Sequence, residues 1–284
     1  MYDIRRRTVV AATLAALTVS VLTACGSGGG EPADPSPVPG ASSGGSMKIG
    51  ISFDQPGLGL KSGDSYTGFD VDTATYVAKA LGVTEQNITW VEADPADRED
   101  LLTNGDVDLV FSTYSITEDR KQQVDFAGPY FTAHQDLLVR RNDEEITGPD
   151  TLNGKSLCSV TGTTSAQLVK ERYKGKITLQ ELPKFSDCVV KLAAGDIDAV
   201  TTDDVILAGF AAQKEYQGKL RLVGEGFSEE SYGVGVKKGN TELVTKVNTA
   251  LKQYIDDGSW DKALESTVGP SGYDIPEPPT PGSS

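Results

Sequence analysis

One six-residue pattern occurs twice and limits what this chain can fold into. Gly105-Asp106-Val107-Asp108-Leu109-Val110 returns ninety residues later as Gly195-Asp196-Ile197-Asp198-Ala199-Val200. Each copy follows a stretch with helical spacing: 98–104 with Leu101 and Leu102, then 186–194 with Val189, Val190 and Leu192. In each, the glycine is placed to end a helix in the left-handed conformation, and a short buried strand follows. Upstream, 47–53 and 88–92 read as strands. Between them, 68–81 reads as a helix with Val71, Ala74, Val77, Ala78 and Leu81 on one face and Gly82 as its stop. This βαβαβ succession favours a mainly parallel sheet with helices on its faces. Repetition of the plan implies an α/β chain of two similar lobes. Ligands of open α/β sheets bind beyond the carboxyl ends of the strands. Those ends are Thr113 and Asp203, so two lobes facing one another would place both in a cleft.

The first 25 residues bear on the compartment. Arg5, Arg6 and Arg7 precede an uncharged apolar run from Val9 to Val21, which ends in Leu22-Thr23-Ala24-Cys25. The run is short for a membrane span, which needs about 20 residues, and has the length of a signal-peptide core. Small residues before a cysteine resemble the bacterial lipobox. The expectation is a signal peptide over 1–24 and lipidation of Cys25, with an ordinary signal peptide and an incidental cysteine as the alternative. Arg6-Arg7-Thr8-Val9-Val10 also fits a twin-arginine signal loosely. Residues 25–46 are nearly all Gly, Ser, Pro and Ala, which cannot bury enough apolar area to offset ordering. They read as a flexible tether spanning on the order of 25 Å. Residues 269–284 carry Pro270, Pro276, Pro278, Pro279 and Pro281 and read as a disordered Pro-rich tail.

The formal charge is −15. Loss of residues 1–24 removes three Arg and one Asp and leaves about −17. Such acidity argues against nucleic acid and against an electrostatic grip on anionic lipid, so an anionic ligand must be held by local donors. A single histidine, His134, excludes a His-rich metal site, and no cofactor or metal is expected. Apart from Cys25, the cysteines are Cys158 and Cys188. An even pair in an exported chain suggests a disulfide, worth ~3–4 kcal/mol for a loop of this length; two buried thiols are the alternative.

The polar clusters at the two strand ends suit a zwitterion. In Ser112-Thr113-Tyr114-Ser115-Ile116-Thr117-Glu118-Asp119-Arg120, Thr117 is placed to cap a helix, bringing Ser115 and Arg120 to the cleft. The alternative is a capped helix with Arg120 in a surface ion pair. Thr161-Gly162-Thr163-Thr164-Ser165 joins the strand 156–160 to a helix running to Tyr173, and hydroxyls with bare N–H groups there make an anion site or a simple cap. Asp203 either caps the helix 205–212 or meets an ammonium.

These motifs resemble the amino-acid-binding class of bacterial extracellular solute-binding proteins, which serve ATP-driven (ABC) importers. The resemblance covers 47–268. Its carriers are Tyr66-Thr67-Gly68-Phe69-Asp70-Val71-Asp72, then 109–120 running into Val124-Asp125-Phe126-Ala127-Gly128-Pro129-Tyr130-Phe131. They continue with Leu152-Asn153-Gly154-Lys155, the Gly162-Thr163-Thr164 turn and 195–203. Cys158 and Cys188 with Thr201-Thr202-Asp203 look especially like the glutamate-binding lipoproteins of high-GC Gram-positive bacteria.

The resemblance implies a type II periplasmic-binding-protein-like fold. Lobe one would comprise 47–133 with 230–268, and lobe two 134–229, with hinge crossings near 133–135 and 226–230. It implies Arg120 as the clamp on the ligand α-carboxylate, with Ser115 and Thr164 as further donors. It also implies the Thr113 backbone and the Asp203 carboxylate as partners of the α-ammonium. Phe53 lies near where an aromatic wall packs on the ligand, or is plain core. For a side-chain carboxylate, Arg98 is the first choice among the basic residues, because it opens the helix leading into the first repeat. The mechanism expected is hinge closure around a polar amino acid, glutamate first, by a lipid-anchored monomer whose closed form a membrane permease recognises. The alternatives are a ligand-binding sensory lipoprotein, or an enzyme of the same fold such as a dehydratase. No nucleophile–base set is evident for the latter.

Overall fold

The computed structural model describes residues 34–38 and 44–283. Cys25, the signal segment and part of the tether lie outside the described residues.

In chain order the strands are β1 (Met47–Ile51), β2 (Asp54–Gln55), β3 (Gly59–Ser62), β4 (Ser65–Thr67), β5 (Ile88–Glu92), β6 (Leu109–Phe111) and β7 (Val124–Ala133). They continue as β8 (Gln135–Arg140), β9 (Ser156–Val160), β10 (Thr178–Leu182), β11 (Ala199–Asp203), β12 (Leu220–Leu222) and β13 (Glu230–Lys237). The helices are α1 (Phe69–Ala80), α2 (Arg98–Asn104), α3 (Glu118–Gln123), α4 (Thr164–Arg172), α5 (Phe185–Ala194), α6 (Asp204–Ala211), α7 (Thr241–Asp256) and α8 (Ser259–Thr267).

Two five-stranded sheets share one plan. The first is ordered β5-β1-β6-β13-β7 and the second β10-β9-β11-β8-β12. In each, the first three strands are parallel, the fourth runs antiparallel to both its neighbours, and the fifth runs in the direction of the first three. The repeated Gly-Asp motif leads into the third strand of each sheet, β6 or β11. Gly105 and Gly195 end α2 and α5 at φ 78° and 86°. The fourth strand of each sheet arrives from the other lobe: β8 follows β7 through His134, and β13 returns after β12. These crossings are why the sheets are mixed rather than parallel throughout.

The α1 face reads as its spacing predicts, with Val71, Ala74, Val77 and Ala78 buried. Below it, Phe69, Tyr130, Phe131 and Trp260 pack ring against ring at 5.6–6.4 Å, and the Trp260 indole donates to the Tyr130 carbonyl at 2.7 Å. In the second lobe, Cys158 of β9 and Cys188 of α5 are disulfide-bonded and fully buried. Among the described residues, no helix is long and apolar enough to cross a membrane.

Residues 34–38 and the C-terminal segment make contacts that their composition does not suggest. Val38, the one large apolar residue of the tether, is 4% exposed and donates its N–H to the Ala80 carbonyl at the end of α1. The Pro-rich C-terminal segment is likewise not a loose tail. Tyr273 and Ile275 pack on the core, the Tyr273 hydroxyl donates to Asp204 Oδ1 at 3.1 Å, and the Gly282 N–H reaches the Gly128 carbonyl at 2.7 Å. Prolines restrict the unfolded segment, so a few anchors suffice to hold it.

Candidate ligand-binding site

The first lobe supplies cations and turned carbonyls. Past the end of β6, Thr113 takes φ 42°, the only positive φ of a non-glycine among the described residues. Such a conformation costs a non-glycine residue about 1–3 kcal/mol and persists only where surroundings over-determine it. Here the Thr113 N–H donates to Asp70 Oδ2 at 3.0 Å, and its hydroxyl lies 3.1–3.2 Å from the Gln55 amide atoms. Thr117 caps α3 by accepting from the Arg120 N–H, which fixes where the Arg120 side chain starts. Arg120 then donates to the Ser115 carbonyl at 2.7 Å and, in the other lobe, to the Gly162 carbonyl at 2.9 Å. Arg98, at the first turn of α2, donates to the carbonyls of Ser112 (2.9 Å) and Thr113 (3.4 Å), and to that of Gly162 at 3.4 Å. The two guanidinium groups flank the buried Tyr114 ring at 4.3 and 5.0 Å from its centre. Burial, and then the neighbouring Arg120 charge, lower the Arg98 pKa to about 10.

The second lobe supplies hydroxyls and acids. Thr163 caps α4, its oxygen accepting from the Ala166 N–H. The Thr164 hydroxyl donates to Glu230 Oε2 at 3.0 Å. Asp203 stands at the capping position of α6 without making a cap bond. Its neighbour Asp204 takes the local donors instead, the N–H groups of Val205 and His134. Asp203 Oδ2 accepts from the Tyr232 hydroxyl at 2.5 Å, while Oδ1 is buried with no protein partner. Burial, and then the nearby Glu230 charge, raise the Asp203 pKa well above the carboxylate range. Oδ1 thus has room for one further donor.

These groups meet between the lobes around a tight cavity of about 10 Å³. Arg98, Thr113, Ser115 and Arg120 line it from one side, and Thr163, Thr164 and Asp203 from the other. Phe53 is elsewhere: its ring packs on Tyr66 at 5.2 Å, with the Lys61 ammonium 4.9 Å above it. Gln55 and Phe185 take lining positions that sequence reasoning missed. It also missed Asp70 beneath Thr113 and Glu230 behind Thr164. Asp70 did leave a signal, since it shares the apolar face of α1 with Ala74 and Val77 at helical spacing. Glu230 left none: its partners Gln135 and Thr164 lie 95 and 66 residues away.

The lobes touch at glycines. A Cβ on Gly162 would stand 2.7 Å from Ala96 backbone atoms, and one on Gly209 2.1 Å from the Pro56 carbonyl. Lys184 pairs with Glu92 at 2.5 Å, and the Ser186 N–H donates to Asp54 at 3.0 Å across the same seam.

Residues 47–269 match the model of the bacterial extracellular solute-binding proteins, family 3. A glutamate-binding protein of Corynebacterium efficiens is 42% identical over 96% of this chain and 95% of its own. A glutamine-binding protein of an ABC transporter from Bacillus subtilis is 34% identical over 78% of this chain and 80% of its own. Among solved structures, an ancestral arginine-binding protein bound to arginine superposes with a TM-score of 0.74 at 35% identity, covering 80% of this chain and all of that one.

Proposed function

The chain belongs to family 3 of the bacterial extracellular solute-binding proteins, and we propose that it captures L-glutamate and hands it to an ATP-driven importer. The observation that carries this reading is the charge layout of the pocket. Two adjacent guanidinium groups, Arg98 and Arg120, face a buried acid, Asp203, across the seam. Glutamate presents two carboxylates and one ammonium. In this assignment Arg120, the Ser115 turn and the N-terminus of α4 at Thr163 and Thr164 hold the α-carboxylate. The Thr113 carbonyl and Asp203 hold the ammonium, and Arg98 reads the side-chain carboxylate. The glutamate-binding relatives support the choice. A cationic side chain beside Arg98 would meet a like charge in a desolvated site, which disfavours arginine. A ligand touching both lobes binds their closed arrangement better and shifts the population toward it. Delivery from a lipid anchor on Cys25 is part of the same reading and rests on the N-terminal sequence.

Arg98→Met tests the assignment. Losing a charge-assisted pair of ~1.5–3 kcal/mol should weaken L-glutamate binding roughly ten- to hundredfold by calorimetry and leave L-glutamine within about threefold. Equal losses for both ligands would remove Arg98 from the side-chain end.

The site also implies a pH response. Burial raises Asp70 and Asp72 to about 6, and raises Asp203 as well. Between about pH 4 and 6 the fold therefore holds protons that the unfolded chain has lost, and stability without ligand falls as pH rises. Asp125, Asp198 and Glu242 are lowered instead and oppose this trend only toward and below its acid end. A ligand ammonium favours charged Asp203, so binding expels a proton and affinity rises with pH. From pH 5 to 7.5 the melting temperature without glutamate should fall, while the shift produced by glutamate grows. A shift that shrinks across that range would remove Asp203 from the ammonium subsite.

A further inference from the structure

The Phe69-Asp70 pair belongs to a motif to which the ligand assignment gives no role, yet Asp70 is completely buried and bonded at both oxygens. Oδ2 accepts from the Thr113 N–H at 3.0 Å and Oδ1 from the Tyr130 hydroxyl at 2.7 Å. Tyr130 is itself buried among Phe69, Phe111 and Tyr232. Thr113 is the residue held at φ 42°. Its carbonyl lies 3.4 Å from Arg98 Nη1, and the carbonyl before it, of Ser112, 2.9 Å from the same atom.

We propose that Asp70 is a positioning residue of the ammonium subsite, holding the strained Thr113 peptide so that its carbonyl stands in the pocket opposite Asp203. The inference rests on the amino-acid reading above and deepens it. A threonine left to itself would relax to negative φ, and that relaxation rotates the adjoining peptide planes. The Ser112 and Thr113 carbonyls would then leave Arg98, and the ammonium would lose one of its two acceptors. A buried carboxylate is a strong enough acceptor to oppose this, because hydrogen bonds to a charged group contribute about 1.5–3 kcal/mol. Its own partner Tyr130 keeps it from turning away. The first-lobe half of the ammonium subsite is thus built from α1 through one side chain. The Gln55 amide at the Thr113 hydroxyl restrains the same residue from the other side.

The test compares Asp70→Leu with Asp70→Asn. Leucine removes both acceptors at similar size. Asparagine can turn its carbonyl to the Thr113 N–H and its amide to the Tyr130 oxygen. Calorimetry with L-glutamate should be run at a temperature where circular dichroism shows each variant folded. The expected result is a Kd at least tenfold weaker for Asp70→Leu, recovered to within about threefold by Asp70→Asn. A folded Asp70→Leu protein that binds within threefold of wild type would overturn the proposal, as would Asp70→Asn losing as much as leucine. Should Asp70→Leu not fold, Asp70→Ala takes its place with the same two outcomes. A purely structural role would lower the melting temperature without moving the Kd of the folded protein. Wild type is titrated first: if it binds no amino acid, the functional reading fails, whereas tight wild-type binding with an indifferent Asp70→Leu sinks only the role of Asp70.

Discussion

Arg120→Ala is expected to weaken L-glutamate binding from about thirtyfold to several thousandfold while leaving the protein folded. The estimate follows from what the guanidinium holds. It is 9% exposed, bonded to the Ser115 carbonyl in its own lobe and to the Gly162 carbonyl in the other, and 3.5 Å from Glu99. Removing one partner of a buried charged pair costs about 2–5 kcal/mol, much of it from leaving the other charge without a partner. Alanine also deletes a bond that spans the seam, so the closed arrangement loses stability before any ligand is counted. The fold should survive because α3 is capped through the backbone of Arg120, not its side chain. Calorimetry checks the affinity and circular dichroism the fold; unchanged affinity would take Arg120 out of the site.

Gly162→Ala is expected to reduce affinity at least a hundredfold by a different route. The added Cβ would stand 2.7 Å from Ala96 N and Cα and 2.8 Å from the Pro95 carbonyl carbon. These are backbone atoms that have no side-chain rotation by which to yield. The lobes would have to part, and the same Gly162 carbonyl that both arginines share would move with them. Backbone strain contributes as well, since Gly162 sits at φ 83°, a conformation that costs a side chain roughly 1–2 kcal/mol. Gly154→Ala separates the two effects. Gly154 has φ 78° with nothing within 4 Å of the added carbon, so it suffers the strain without the collision and should bind normally. Equal binding by the two variants would mean that close approach at Gly162 is not needed for capture.

Much of this arrangement was legible in the chain because it is locally encoded. A glycine that ends a helix and precedes a buried strand marks β6 and β11, and the strand ends then point to Thr113 and Asp203. Thr117 and Thr163 are hydroxyl caps at the start of short helices, and their side chains make the cap bonds expected. The rest depended on pairing at a distance. Whether Asp203 caps α6 was open in the sequence; it makes no cap bond, and the neighbouring Asp204 takes the donors of His134 and Tyr273. Nothing local marks Gln55 rather than Phe53 until β2 pairs with β3, and β3 with β4. That hairpin brings Tyr66 to the Phe53 ring and leaves Gln55 to the pocket. The one reversed strand of each sheet, β13 or β8, follows from the crossings, which no local pattern encodes. Composition gave no hint of the contacts made by single apolar or aromatic residues, Val38 and Tyr273, among the described residues of the two terminal segments.

The most direct test of glutamate capture by closure is a thermal-shift measurement on the purified protein with each of the twenty amino acids. At ~100 Kd of ligand, binding should add about 2.7 kcal/mol, a rise of roughly 5–10 °C for a chain of this size. The account predicts that L-glutamate gives the largest shift, glutamine and aspartate smaller ones, and arginine none. A larger shift with arginine or with an apolar amino acid, or no shift with any of the twenty, would contradict it.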